Sequence, residues 1–352
     1  MAINRQEDIK NKALLKQLLQ ERILATDGST GTALEWMNPT DEDFGGEEFS
    51  GCNEMLNVYA PDMVVQLHRL YIEAGSDLIF TNTFNGSPTV LAEYGIAERS
   101  REIACKSAQL ANRAVAEYAM DKRVFVTGSM GPGTKPITVT GGITFDEVVE
   151  VYRIYASGLL EGGSDILLLE TTQDTLNLKA ALFGIETAQK DLDREAPVSV
   201  SVTIEPNGTM LAGQNIEALY HSICHFDLLS IGLNCATGPA AMTDHLRTLS
   251  QISRFPVSAW PNAGLPNTEG KYTDTPEVFS KIIERFANDG FVNIIGGCCG
   301  TSNEHISAVC SVIRGIPPRI PVKDGRFPAL AGAEAMVVED DNRPVFVGER
   351  TN

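Results

Sequence analysis

Two cysteines stand side by side at the end of an apolar run, in Val292-Asn293-Ile294-Ile295-Gly296-Gly297-Cys298-Cys299-Gly300-Thr301. Neighbouring Cα atoms lie about 3.8 Å apart across a trans peptide, short of the usual disulfide range, so the pair is poorly placed to close on itself. Thiolates select zinc and copper(I), and a zinc that does chemistry commonly keeps three protein ligands and an open fourth position. The candidate for a third ligand is Cys235, which ends a second apolar run, Leu228-Leu229-Ser230-Ile231-Gly232-Leu233-Asn234-Cys235, just before a turn at Gly238-Pro239. The other four cysteines, Cys52, Cys105, Cys224 and Cys310, fall in a loop or on apolar helical faces, where a free thiol behaves as a small hydrophobe. The alternative for Cys298 and Cys299 is a buried or redox-active vicinal dithiol.

Other apolar runs end in groups that could hold a polar ligand. Asp27 and Glu170 can offer negative charge to an ammonium, and the turn Gly28-Ser29-Thr30-Gly31-Thr32 offers backbone N–H groups to a carboxylate. Together they would hold an amino acid. Each acid also has a purely structural reading: Asp27 could cap the turn that follows it, and Glu170 the helix expected from Thr172. All five histidines, His68, His221, His225, His245 and His305, fall inside helical stretches and are not read as ligands. Gly131-Pro132-Gly133-Thr134-Lys135-Pro136 lacks the spacing of a phosphate loop and reads as a rigid turn.

What positions these groups is an alternation that occurs eight times. Short apolar runs at 23–26, 77–81, 124–128, 165–169, 198–204, 228–233, 257–260 and 292–295 are each followed by punctuation and a helical pattern. The helical patterns cover 60–73, 99–118, 145–161, 172–190, 214–225, 239–253, 275–288 and 303–314, after an opening helix at 6–21. Starts are marked by Asp274 or Thr275 before Pro276, and by Ser302 or Asn303 before Glu304. Gly75 and Gly163 each sit between a helix and the next run, as caps do. Eight such units imply an α/β fold, a (β/α)8 TIM barrel with an N-terminal helix and a C-terminal linker, in which chemistry belongs at the C-terminal strand ends. A doubly wound sheet is disfavoured because the G-x-G-x-x-G fingerprint is missing.

Composition narrows the partners. The 352 residues are 43% hydrophobic but only 7% aromatic, so aliphatic side chains carry the burial, as in parallel strands covered by helices. A formal charge of −18 opposes binding to nucleic acid or an anionic membrane. No stretch approaches the apolar length of a membrane span, and the polar start lacks a signal-peptide core. Seven scattered cysteines fit a reducing compartment, so a cytoplasmic location is expected. The barrel is expected to occupy 1–320 and a linker 321–342. The final stretch, 343–352, reads as the truncated start of a following module, or alternatively as an edge strand of this one.

Taken in order, Asp27-Gly28-Ser29-Thr30-Gly31-Thr32, Leu168-Leu169-Glu170-Thr171, Gly232-Leu233-Asn234-Cys235, Pro261-Asn262-Ala263-Gly264 and Gly296-Gly297-Cys298-Cys299-Gly300-Thr301 make the chain resemble the homocysteine S-methyltransferase family, over about 24–314. Within it the likeness is greatest to the N-terminal homocysteine-binding modules of cobalamin-dependent methionine synthases. The ending Val345-Phe346-Val347-Gly348-Glu349-Arg350-Thr351-Asn352 resembles the first strand of the methyltetrahydrofolate-binding barrel that follows there. The resemblance implies that Cys235, Cys298 and Cys299 bind a catalytic zinc (Zn2+) with the L-homocysteine sulfur in the open position. It further implies that Asp27 and Glu170 take the amino group, that the Gly28, Ser29 and Thr30 amides take the carboxylate, and that Asn262 fills the open zinc position when substrate is absent. The methyl group would come from methylcobalamin, through cobalamin-binding and folate-binding domains of a longer polypeptide. Two rivals are a free-standing homocysteine methyltransferase using betaine or S-methylmethionine, and a non-catalytic barrel with a redox-regulated dithiol.

Overall fold

The eight apolar runs become eight parallel strands: β1 (Leu24–Ala25), β2 (Leu78–Phe80), β3 (Phe125–Met130), β4 (Ile166–Thr172), β5 (Val198–Val202), β6 (Leu228–Asn234), β7 (Val257–Trp260) and β8 (Ile294–Ile295). The computed structural model describes residues 4–323 and 327–345. Hydrogen-bonded neighbours run β1-β8-β7-β6-β5-β4-β3-β2. The remaining seam, between β1 and β2, has no ladder among the described residues. At one end the Asp77 N–H donates to the Ala25 carbonyl at 2.7 Å, and at the other the Phe80 N–H donates to Asp27 Oδ2 at 2.6 Å. A carboxylate thus helps to close the barrel where backbone pairing stops. The architecture is the expected (β/α)8 barrel, nearly closed.

The opening helix, Arg5–Glu21, covers the N-terminal end of the barrel. Its Leu15 and Leu19 join Leu24, Phe125, Leu168 and Ile294 in the buried cluster inside the strands. A larger apolar layer lies between the strands and the surrounding helices. Helix boundaries follow local punctuation. Thr275 caps Pro276–Asn288, Ser302 caps Asn303–Val312, and Gly75 and Gly163 end their helices with φ of 110° and 93°. The helix expected from Thr172 begins instead at Thr175, because β4 continues to Thr172 and Asp174 provides the cap.

Two regions depart from the expected pattern. Between β1 and Pro61–Ala74 the chain makes an excursion through the helix Thr30–Met37 and several short turns, including Asn53–Met55. These turns are too short to carry a periodic signal. The stretch expected as a linker holds a hairpin of β9 (Ala329–Ala331) and β10 (Ala335–Val337), tied to the barrel where the Asn215 N–H donates to the Ala333 carbonyl at 3.0 Å. Of the stretch 343–352, residues 346–352 lie outside the described residues. Among the described residues no helix is long and apolar enough to cross a membrane.

Candidate metal centre and its cavity

Strand β7 joins the two cysteine turns. The Cys235 N–H donates to the Trp260 carbonyl at 3.1 Å, the Cys298 N–H to the Pro261 carbonyl at 2.9 Å, and the Ala263 N–H to the Cys299 carbonyl at 2.9 Å. Consecutive residues at one strand end therefore anchor cysteines that are far apart in sequence. Cys235 and Ala236 lie in the left-handed region, at φ of 61° and 50°. That conformation costs on the order of 1–3 kcal/mol for a residue with a side chain and persists only where its surroundings impose it.

The result is a triangle of sulfurs. Cys235 Sγ lies 3.8 Å from Cys299 Sγ, Cys298 Sγ lies 3.9 Å from Cys299 Sγ, and all three fall within 4.8 Å of one another. Two sulfurs each about 2.3 Å from a tetrahedral zinc would be about 3.8 Å apart, so the donor set and spacing fit that ion. Without a cation the cluster shares its protons unevenly. Hydrogen bonds from Cys235 and Cys298 hold the Cys299 thiol far below the ordinary range, while Cys298 is pushed up. Among the described residues these three cysteines are the only group of metal-ligand side chains gathered so closely.

The sulfurs face a cavity of about 220 Å³ whose wall includes Ser29, Thr30, Glu54, Glu170 and Trp260. That is below the range of about 300–1,000 Å³ typical of drug-sized ligand sites, and it suits a small molecule. Phe80 and Trp260, edge to face at 5.3 Å, are buried beside it. Glu170 accepts a hydrogen bond from Ser129 Oγ, and burial pushes its carboxyl up to about 7 despite that bond. Asp27 is pushed well above the usual range by burial and, to a lesser degree, by Glu170. Its Oδ1 has no partner among the described residues, and Asp27 sits behind the cavity wall while Glu170 forms part of it. Among the described residues neither acid is paired with Lys or Arg.

Neither acid is a helix cap. Ser29 caps Thr30–Met37 by accepting from the Thr32 N–H, and Asp174 caps Thr175–Asp191. The Ser29 N–H, expected to face a carboxylate, donates to Thr301 Oγ1 at 3.1 Å. Of the first-turn amides of the helix beginning at Thr30, that of Thr32 is capped by Ser29 Oγ and that of Ala33 donates to the Ser29 carbonyl, which leaves the Thr30 and Gly31 N–H groups without an intrahelical partner. Asn262 is buried, and its Oδ1 lacks a partner among the described residues.

Beside Glu170, Thr171 is held at φ 58°, an outlier for a β-branched residue. Asn234 supports it, accepting from the Thr171 N–H at 3.1 Å and donating to Thr171 Oγ1 at 2.8 Å. Sequence reasoning missed two residues at this site. Glu54 arrives through the excursion after β1, where it accepts from the Asn85 N–H at 2.7 Å, and burial raises its carboxyl. Tyr272, from the loop after β7, packs against Gly300 beside Cys299 and helps to hold the Cys299 thiol down. Neither belongs to a strand end, so no periodic signal could have found it.

Fold and site together define a (β/α)8 barrel with a three-thiol metal-type centre at the C-terminal ends of its strands. The chain belongs to the homocysteine S-methyltransferase family, whose model matches residues 24–313. Among solved structures it is similar to the homocysteine methyltransferase MmuM from Escherichia coli. The metallated form shares 22% identity, covering 85% of this chain and 98% of that one, at a TM-score of 0.67. The oxidized form shares 21%, covering 82% and 95%, at a TM-score of 0.65. These likenesses establish the shared barrel fold.

Proposed function

We propose that this chain binds zinc through Cys235, Cys298 and Cys299 and activates L-homocysteine for methyl transfer, giving methionine. The observation that carries this reading is the convergence of three sulfurs, at tetrahedral spacing, on a small cavity that also exposes a carboxyl with no cationic partner among the described residues. When bound, zinc supplies the Lewis acidity that keeps a substrate thiol deprotonated at neutral pH. The rest is done by the chain itself. Glu170, backed by Asp27, receives the substrate ammonium, which restores the charge balance that burial disturbs. The amides of Gly28 and Thr30, at the start of the helix Thr30–Met37, receive the carboxylate; the Ser29 amide reaches it only by leaving Thr301. Asn262 Oδ1, buried without a partner among the described residues, is assigned to the fourth position when substrate is absent. Phe80 and Trp260 exclude water from one side. The thiolate then attacks the methyl carbon, a C–S bond forms, and the donor leaves with its electron pair.

The donor is assigned as methylcobalamin, presented by cobalamin-binding and folate-binding domains of the same polypeptide; the support is the resemblance carried by residues 345–352. Zinc analysis combined with homocysteine titration tests the core of the reading. Wild type purified without chelator should hold about one equivalent of zinc and bind homocysteine, and Cys299→Ser should hold under a tenth of an equivalent and bind none. A wild type without zinc overturns the reading. Efficient methyl transfer from betaine or S-methylmethionine by the isolated protein overturns the donor assignment alone.

A further inference from the structure

Thr301 lies at the junction between the turn that carries two of the thiols and the turn after β1. Its hydroxyl donates to the carbonyl of Cys298 at 2.6 Å and accepts from the Ser29 N–H at 3.1 Å. One buried side chain therefore bonds a candidate metal ligand and the turn that starts the helix Thr30–Met37. Two further contacts clasp the same pair of turns. Tyr71 Oη donates to the Ser29 carbonyl at 3.0 Å, with the Thr301 carbonyl 3.5 Å away, and the Gly300 N–H donates to Thr32 Oγ1 at 3.1 Å. The fit is close: a Cβ at Gly297 would come within 2.4 Å of Thr301 Oγ1, and one at Gly28 within 2.8 Å. Glycine is thus required on both sides of this hydroxyl.

We propose that Thr301 is a positioning residue that sets the span between the sulfur site and the carboxylate site, and so selects an amino acid thiol by its chain length. This rests on the function proposed above. Homocysteine and cysteine carry identical terminal groups and differ by one methylene. A site that grips both ends can tell them apart only if the distance between its two grips is held. The Thr301 hydroxyl holds it through two hydrogen bonds on one atom, one to each turn. Thr301→Val keeps the shape and removes both bonds, and Thr301→Ser keeps the hydroxyl. Tyr71→Phe loosens the same clasp from the opposite side.

The test is calorimetric titration of the zinc-loaded full chain with L-homocysteine and with L-cysteine. Wild type should prefer homocysteine by roughly 10- to 200-fold, the range one methylene commands in a fitted pocket. In T301V the zinc content should stay at one equivalent and homocysteine affinity should fall about tenfold, equivalent to about 1.4 kcal/mol, as the span is released. Cysteine affinity should stay within about twofold, so the preference itself collapses. Y71F should lower the preference in the same direction, and T301S should restore most of it. Three results overturn the proposal: zinc loss in T301V, an equal loss of both thiols, or an unchanged preference. A wild type that holds zinc but gives no heat with homocysteine overturns the functional reading itself, and this proposal with it.

Discussion

Strand β4 carries a buried carboxyl group near each end, and the barrel treats the two in opposite ways. Asp165, just before the strand, pairs with Arg123 at 2.8 Å and accepts from Asn11 Nδ2 at 2.8 Å and the Val126 N–H at 2.9 Å. Glu170, near the other end, has the Ser129 hydroxyl and no cationic partner among the described residues. The contrast extends around the barrel. At the N-terminal end Asp77 meets Arg22 at 2.7 Å and Lys122 at 3.0 Å, and Asp8 meets Arg194 at 2.7 Å. At the C-terminal end Asp27, Glu54 and Glu170 are all buried, and all are shifted toward the protonated form. Buried carboxyls at one end are paired with Arg or Lys; at the other they have no such partner among the described residues, and the proposed function supplies one in the substrate ammonium.

The comparison breaks most readily at its stable end. Arg194 donates to both oxygens of Asp8, at 2.7 and 2.9 Å, and also to the Leu160 and Ser164 carbonyls. Arg194→Ala leaves Asp8 buried without a cationic partner, with only the Glu195 N–H donating to it at 2.8 Å, and should lower stability by about 3–5 kcal/mol in denaturant unfolding. A loss under about 1 kcal/mol would remove the distinction between the two ends.

Glu170 and Asp77, one at each end, should also respond to pH with opposite signs. Burial raises Glu170 from an ordinary 4.5 to about 7. Its contribution is fully present below pH 4.5 and is lost as pH rises through 7. Metal-free wild type should therefore fall in stability relative to Glu170→Gln across that window, by at most about 3 kcal/mol. Burial also presses Asp77 upward, but the Arg22 hydrogen bond and the Lys122 charge outweigh it and the net shift is downward. Its contribution is present above the ordinary 3.8 and is lost as pH falls below that. Unfolding curves for wild type and E170Q between pH 4 and 8 check the first sign, and a flat difference contradicts it.

The smallest effect concerns binding. With zinc loaded, Glu170→Gln should weaken homocysteine by about 1.5–3 kcal/mol, the worth of a hydrogen bond to a charged group, while leaving zinc content unchanged. Affinity equal to wild type would move ammonium recognition away from Glu170.

Most of the scaffold and the three thiols were legible in the sequence, because their signals are local. An apolar run followed by a cap and a 3.6-residue period describes a strand and a helix wherever they end up. Eight repeats of that grammar leave few topologies, and the barrel rule then assigns Cys235, Cys298 and Cys299 to one rim. The residue types suggested an ammonium-binding or a capping role for Asp27 and Glu170, and the resemblance implied the former, but neither gave their states. The excursion that delivers Glu54 was illegible because its turns are three and four residues long. The hairpin at 329–337 was read as linker because two three-residue strands carry too little alternation to register.

By itself, then, the sequence determined the chain's repeating architecture and which three cysteines share one rim, since both follow from order and spacing along the backbone. Only the tertiary structure decided which buried acids have partners, that the Ser29 amide faces Thr301, and that one hydroxyl joins the sulfur turn to the helix start. Those depend on contacts between residues as much as 272 positions apart, and no local pattern encodes a distance that exists only after the barrel closes.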